Sequence, residues 1–293
     1  MKLSASKLTK KYLMKTAVDQ FEYTFENGIY GLLGPNGSGK STLMRRLCDI
    51  LRPSEGEITL DGVDIKTLDA RFRDQLGYLP QDFGYYPQFS AYDFLMYFAI
   101  LKGFTKKDAK ERIAAVLQQV NLEEVKHHKI KTFSGGMKQR LGIAQALLND
   151  PNILIVDEPT AGLDPKERSK FKNIIARCAK DKIVILSTHI VSDIESIATK
   201  IIIMKDGKIH ISGTREELIQ PLDGKVISFI CHEQEVEANT RNMIVTAMIP
   251  TQGSMMIRGI REEVMPDAQI EVPSLEDLYL SIFREEGECS GMS

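Results

Sequence analysis

Cysteine is scarce in this chain, and what there is lies scattered. The four cysteines, Cys48, Cys178, Cys231 and Cys289, are far apart and form no CxxC pair. That argues against a zinc site or a disulfide framework and fits a reducing compartment. An excess of positive charge is also missing, since 38 Lys and Arg stand against 40 Asp and Glu for a net charge of −2. A nucleic-acid-binding domain would carry a clear basic footprint, so no nucleic acid is expected as a partner. The early lysines (Lys2, Lys7, Lys10, Lys11, Lys15) alternate with polar and apolar residues and read as a solvated face. The longest apolar run, FLMYFAIL (Phe94–Leu101), falls far short of the roughly 20 residues that a spanning helix needs. The opening MKLSASKLTKKY has no apolar signal-peptide core, and the expectation is a chain that does not cross a membrane by itself. No internal repeat, low-complexity linker or long heptad run is present.

What the chain does have is 293 residues, of which 43 % are apolar, ample for a core and enough for about two domains. FENGIYGLLGPNGSGKSTLMRRLCDIL reads as strand, glycine-rich loop and helix. EGEITLDGVDI reads as a hairpin around Asp61-Gly62, and LGYLPQ ends another strand. Ser90 with Asp93, and Thr105 with Asp108, mark two helix starts, with Gly103 a stop between them. PNILIVDEPT and KIVILSTH are continuous apolar runs of the kind buried on both faces of a parallel sheet. Between them, Asp164 and Pro165 open a helix. IIIMKDGKIHISG is a second hairpin on Asp206-Gly207. This alternation implies an α/β domain with a largely parallel sheet and antiparallel strands near the start. From about Lys225 the rhythm changes to short strands, KVISFIC, NMIVTAMIP and SMMIRGI. A closing amphipathic helix, PSLEDLYLSIFREE, is apolar at Leu275, Leu278, Ile282 and Phe283.

The most specific signal is GPNGSGKS, Gly34, Pro35, Asn36, Gly37, Ser38, Gly39, Lys40 and Ser41, in the spacing of a phosphate-binding P-loop. Glycines there let backbone N–H groups converge on phosphate oxygens at a helix N-terminus. Lys40 is expected on the β and γ phosphates, Ser41 on Mg²⁺, and Thr42 on a further phosphate oxygen. ILIVDEPT brings two acids to the carboxyl end of a buried strand, where ligand sites of open α/β sheets gather. Asp157 is expected to hold Mg²⁺ through its water shell, and Glu158 to act as general base toward the attacking water. His127-His128 lies in a charged stretch without paired ligands and is not read as a metal site.

With these motifs the chain resembles the nucleotide-binding subunits of ABC transporters over about residues 1–220, several motifs matching in order. Tyr12 matches the aromatic that stacks on adenine in that family. Gln81, in YLPQDFG, matches the glutamine that senses Mg²⁺ and the γ-phosphate. FSGGMKQR matches the family signature LSGGQ through Ser134, Gly135 and Gly136, with Phe133 and Met137 as departures that put only local packing in doubt. AGLD places Asp164 in the family's D-loop, and His189, in STHI, matches the switch histidine at the γ-phosphate. The fold implied is a P-loop ATPase, with a largely parallel core sheet and an antiparallel N-terminal β subdomain. It adds a helical signature subdomain (about 85–150), a small α+β appendage (222–286) and a flexible tail (287–293).

The resemblance implies an ATP- and Mg²⁺-dependent ATPase on the cytoplasmic side of the cell membrane, driving a separate membrane-spanning subunit. Two ATP would be sandwiched between two copies, or between this chain and a paralogue. The segment after Gln81 would face the membrane subunit, with Tyr85, Tyr86 and Phe89 as aromatics to test, while the FLMYFAIL face reads as core or interface. The short C-terminal extension resembles that of exporter subunits, so export is the expected direction. Two other classes stay in view: a soluble ATPase acting on nucleic acid or the ribosome, and an ATP-gated docking module without catalysis. The transported substrate is not legible, because its path lies in another chain.

Overall fold

The computed structural model describes residues 1–262, 265 and 267–283. The turn and cap signals in the sequence translate directly into the first elements. β1 (Leu3–Tyr12) and β2 (Lys15–Phe25) pair antiparallel with several register shifts, turning Leu3, Leu8, Phe21 and Phe25 inward. β3 (Gly28–Leu33) leads into the P-loop and α1 (Lys40–Leu47). β4 (Glu55–Leu60) and β5 (Val63–Asp64) form the Asp61-Gly62 hairpin, where φ of 48° and 83° gives the turn whose twist suits paired strands. After the short helices α2 (Ile65–Leu68) and α3 (Ala70–Asp74) comes β6 (Leu76–Leu79). α4 (Ala91–Leu101) opens on a capping box of Ser90 and Asp93, and α5 (Lys106–Gln119) on Thr105. α6 (Gly135–Ala146) is capped by Ser134, whose hydroxyl accepts from the Met137 N–H. Such caps satisfy N–H groups that the helix itself leaves free.

β7 (Ile153–Asp157) and β8 (Ile183–Thr188) are buried at every residue, as runs without polar alternation require. α7 (Pro165–Cys178) lies between them, and α8 (Val191–Ile194), β9 (Lys200–Lys205) and β10 (Lys208–Gly213) follow. The core sheet has the order β10-β9-β3-β8-β7-β6, parallel from β9 through β6, beside an antiparallel sheet β2-β1-β4-β5. One apolar core joins them: Leu8, Phe21 and Phe25 from the antiparallel sheet meet Leu43, Met44 and Leu47 of α1 and Ile155 and Ile185 of the core sheet. Each such fully buried side chain contributes about 1.5–3 kcal/mol, so α1, which carries the loop's lysine, is clamped from two sides.

Contacts divide the chain into two compact units, Met1–Ser212 and Gly213–Ser293. The division falls before α9 (Arg215–Ile219), which packs on α11 (Leu275–Ile282). The second unit also holds β11 (Val226–Cys231), α10 (Val236–Thr240), β12 (Ile244–Thr251), β13 (Ser254–Ile260) and β14 (Gln269–Ile270). Its sheet order is β12-β13-β11-β14, and its core gathers Ile227, Phe229, Cys231, Met243 and Ile257. The expected end of the last helix at 284–286, the tail at 287–293 and Cys289 lie outside the described residues.

Candidate active site

The P-loop is shaped by what surrounds it as much as by its own glycines. Gly39 has φ 103°, and a Cβ there would lie 2.2 Å from the Ala17 carbonyl oxygen, so only glycine fits. The Asp206-Gly207 turn braces the same loop: the Gly207 N–H donates to the Ser38 carbonyl at 3.1 Å, and its own carbonyl accepts from the Asp19 N–H at 2.9 Å. Lys40 is folded back, its Nζ donating to the carbonyls of Gly34 (2.7 Å) and Pro35 (3.1 Å). Nζ also lies 3.4 Å from Glu158 Oε1, with the two side chains only 4 % and 8 % exposed. Burial pushes the Lys40 pKa down, against the pull of Glu158 and Asp157.

Both acids stand at the end of β7. Glu158 turns out of the strand with φ 45°, a conformation that costs a non-glycine residue energy and is held by its surroundings. Its N–H donates to Ser187 Oγ at 2.9 Å, and its Oε2 lies 3.1 Å from His189 Nδ1. Asp157 is 1 % exposed. Its Oδ1 accepts from Ser187 Oγ at 2.6 Å and Ser41 Oγ at 3.2 Å, while its buried Oδ2 has no hydrogen-bond partner. Two residues beyond Glu158, Thr160 Oγ1 donates to the buried Asp193 carboxylate of α8 at 2.5 Å, which further ties together the segments carrying Glu158 and His189.

These groups open on a cavity of about 590 Å³. Of the residues expected from sequence, Tyr12, Asn36, Gly37, Gly39, Lys40, Ser41, Thr42, Gln81, Glu158 and His189 line it. Gly34 and Pro35 hold Lys40 from behind, the Ser38 side chain is buried in the loop, and Asp157 lies behind Ser41. Ala161, the first residue of AGLD, also lines the cavity, as do Lys15 and Ala17, which were not anticipated. Lys15 directly follows the hairpin tip after Tyr12, the one signal that could have placed it beside the loop.

Ser134, Gly135, Gly136 and Asp164 are not among the lining residues of this cavity. Gly135 lines a second one, of about 360 Å³, with Gln81, Tyr85 and Lys138. Asp164 caps α7 by accepting from the Glu167 N–H at 2.9 Å. Gly136 lies against α7: a Cβ on it would come 2.3 Å from Glu167 Oε2. On α4 the apolar run is divided, with Phe94, Leu95 and Ala99 buried and Tyr97, Ile100 and Leu101 exposed. Tyr97 joins the exposed Tyr86 and Phe89 in an aromatic cluster, with the Tyr86 and Phe89 rings 5.0 Å apart.

Residues 18–161 match the family model described as ABC transporter. The ABC transporter ATP-binding protein YxlF of Bacillus subtilis strain 168 is 35 % identical over 296 residues, covering 96 % of this chain and 99 % of that one. The chain belongs to the ABC transporter ATP-binding proteins. A second relative, the linearmycin resistance ATP-binding protein LnrL of the same organism, is 36 % identical over 227 residues, covering 77 % of this chain and 73 % of that one. Among solved structures, the dimeric post-hydrolysis state of the ATP-binding cassette MJ0796 bound to ADP and Pi superposes with a TM-score of 0.66. It is 28 % identical and covers 72 % of this chain and 98 % of that one. As an ABC ATP-binding protein, this chain binds and hydrolyses ATP.

The donors behind the loop suit a hard divalent cation. Ser41 Oγ and the unpartnered Oδ2 of Asp157 are oxygens beside the phosphate cavity, and Mg²⁺ prefers one or two protein oxygens together with phosphates and water.

Proposed function

We propose that this ATPase is the cytoplasmic-side motor of an exporter, acting on a separate membrane subunit and working as a pair of copies that close on two ATP. The observation that carries the reading is the Lys40–Glu158–His189 cluster on one cavity roomy enough for a nucleotide, backed by Asp157 with a free carboxylate oxygen. In the bound state the loop's N–H groups cradle the β and γ phosphates, and Tyr12 stacks on adenine. Lys40 exchanges the Gly34 and Pro35 carbonyls for phosphate oxygens, and that exchange releases Glu158. Ser41, Asp157 and Gln81 would hold Mg²⁺, which when bound would neutralise phosphate charge. Glu158 then takes a proton from the attacking water as its oxygen bonds to the γ-phosphorus. The bond to the β-phosphate oxygen breaks, and ADP and phosphate leave. His189, bonded to Glu158, faces the γ-phosphate and keeps the carboxylate in place.

Ser134, Gly135, Gly136 and Asp164 would serve the site of the partner copy, which accounts for their absence from this chain's own cavity lining. The exposed Tyr86, Phe89 and Tyr97 cluster supports a contact with the membrane subunit, since contiguous exposed apolar surface marks interaction sites. The resistance role in the name of LnrL supports export. The second unit is read as an accessory domain. The test is Glu158→Gln, which should bind MgATP, lose about 10²–10⁴-fold in turnover and run as a dimer on size exclusion with MgATP. A variant that stays monomeric with and without MgATP would sink the paired-site reading.

A further inference from the structure

Ser187 opens the STHI segment, where only His189 was given a role, and reads in sequence as one more residue of a buried strand. It is fully buried at the end of β8, directly beside Asp157 in the parallel register. Its single hydroxyl is used in both directions: it donates to Asp157 Oδ1 at 2.6 Å and accepts from the Glu158 N–H at 2.9 Å. The first bond, with that from Ser41, occupies Oδ1 and leaves Oδ2 as the free oxygen. The second holds the backbone of Glu158 where the chain leaves β7 with φ 45°. One side chain thus fixes the rotamer of one acid and the main chain of the next.

We propose that Ser187 is a positioning residue for ATP hydrolysis, aiming Asp157 at the metal and Glu158 at the attacking water while touching neither. This rests on the roles given to Asp157 and Glu158 above. An outer-sphere hydrogen bond of this kind typically governs about 10–100-fold in metal affinity or activity. Alanine removes the donor and the acceptor together, whereas threonine keeps both.

The test compares Ser187→Ala, Ser187→Thr, Asp157→Asn and the Ser187→Ala/Asp157→Asn double variant in the full chain. Binding of Mn²⁺ to the ATP complex, read by electron paramagnetic resonance, should weaken about tenfold in Ser187→Ala. ATP binding in EDTA, read by calorimetry, should stay within about twofold, because the P-loop contacts are untouched. Ser187→Thr should recover most of the Mn²⁺ affinity, and Ser187→Ala should cost nothing further in the Asp157→Asn background. Wild-type Mn²⁺ affinity and turnover in Ser187→Ala would overturn the proposal. So would equal losses with and without metal that add to those of Asp157→Asn. A wild-type chain whose nucleotide complex takes up no divalent cation would instead overturn the assignment of Asp157, and this inference with it.

Discussion

Two carboxylate–cation pairs, one in each unit, look alike by distance and differ in everything else. In the first unit, Lys40 and Glu158 lie 3.4 Å apart, almost sealed from solvent, and beside them Asp157 keeps an oxygen with no partner. In the second, Arg258 Nη2 donates to Asp277 Oδ2 at 2.8 Å, with the guanidinium 26 % exposed and the carboxylate 2 %. Asp277 is satisfied throughout: Oδ2 also accepts from the Ser274 N–H and Oγ, and Arg258 Nε reaches Oδ1 at 3.3 Å. The electrostatics follow the hydrogen bonds. Burial lowers the Lys40 pKa, outweighing the pull of Glu158 and Asp157. Burial works to raise the Asp277 pKa, but bonds led by Arg258 and Ser274 outweigh it and hold the carboxyl below its usual range. A pair built for stability completes its own bonds; a pair built to bind leaves some open.

The largest effect should come from breaking the open pair. Lys40→Ala should lower ATP turnover by about 10²–10³-fold, the cost of losing one charged donor to developing phosphate charge. Turnover near wild type would show that the lysine belongs with the structural pairs.

Breaking the closed pair should do the reverse. Asp277→Asn removes a charged acceptor from four donors and should cost about 2–3 kcal/mol, with ATP turnover per folded molecule unchanged. Each kcal/mol should appear as about 2–4 °C in the melting midpoint of a chain this size. The pH dependence has a fixed sign. Asp277 has a folded pKa below its unfolded value, which is about 3.9. Its contribution is therefore complete above that value and is lost as pH falls through the folded one. The gap in melting midpoint between wild type and Asp277→Asn should narrow below about pH 4, and a gap that widens there would contradict the assignment.

Much of this difference could be read before any coordinates, but unevenly. GPNGSGKS and ILIVDEPT stand out in the sequence because the phosphate and metal binding proposed for them would demand particular residues at particular spacings. The two Asp-Gly hairpins and the Ser90, Thr105 and Asp164 caps were equally local, and each forms. What stayed hidden depends on register. Ser187 meets Asp157 only because β7 and β8 pair in parallel at that residue, and Gly207 braces Ser38 only because β10 lies beside β9. The second unit was legible as strands and a closing helix, while its order β12-β13-β11-β14, with β14 on the far edge, follows from packing between segments far apart in sequence.

The smallest and sharpest contrast lies within two adjacent residues. Gly135 and Gly136 begin α6, where glycine costs about 1 kcal/mol against alanine, so each needs a reason to be there. Gly136 has an internal one, because its Cβ would lie 2.3 Å from Glu167 Oε2 and 2.8 Å from Cγ and Cδ. Glu167 is not free to retreat, since it pairs with Lys170 at 2.6 Å and lies 3.5 Å from Arg140 Nε. Gly136→Ala should therefore destabilise the chain by about 1–2 kcal/mol despite its better helix propensity. Gly135 has no such neighbour: the nearest side-chain atom to its Cβ is Leu163 Cδ2, at an ordinary 3.7 Å. Gly135→Ala should leave the melting midpoint unchanged or raise stability by up to about 1 kcal/mol. If Gly135 is kept open for the phosphate held by another copy, the same substitution should lower turnover by about tenfold or more through misplacement of the closed pair. A Gly135→Ala variant that is both more stable and fully active would mean that nothing approaches this helix end, and the signature would be a matter of packing alone.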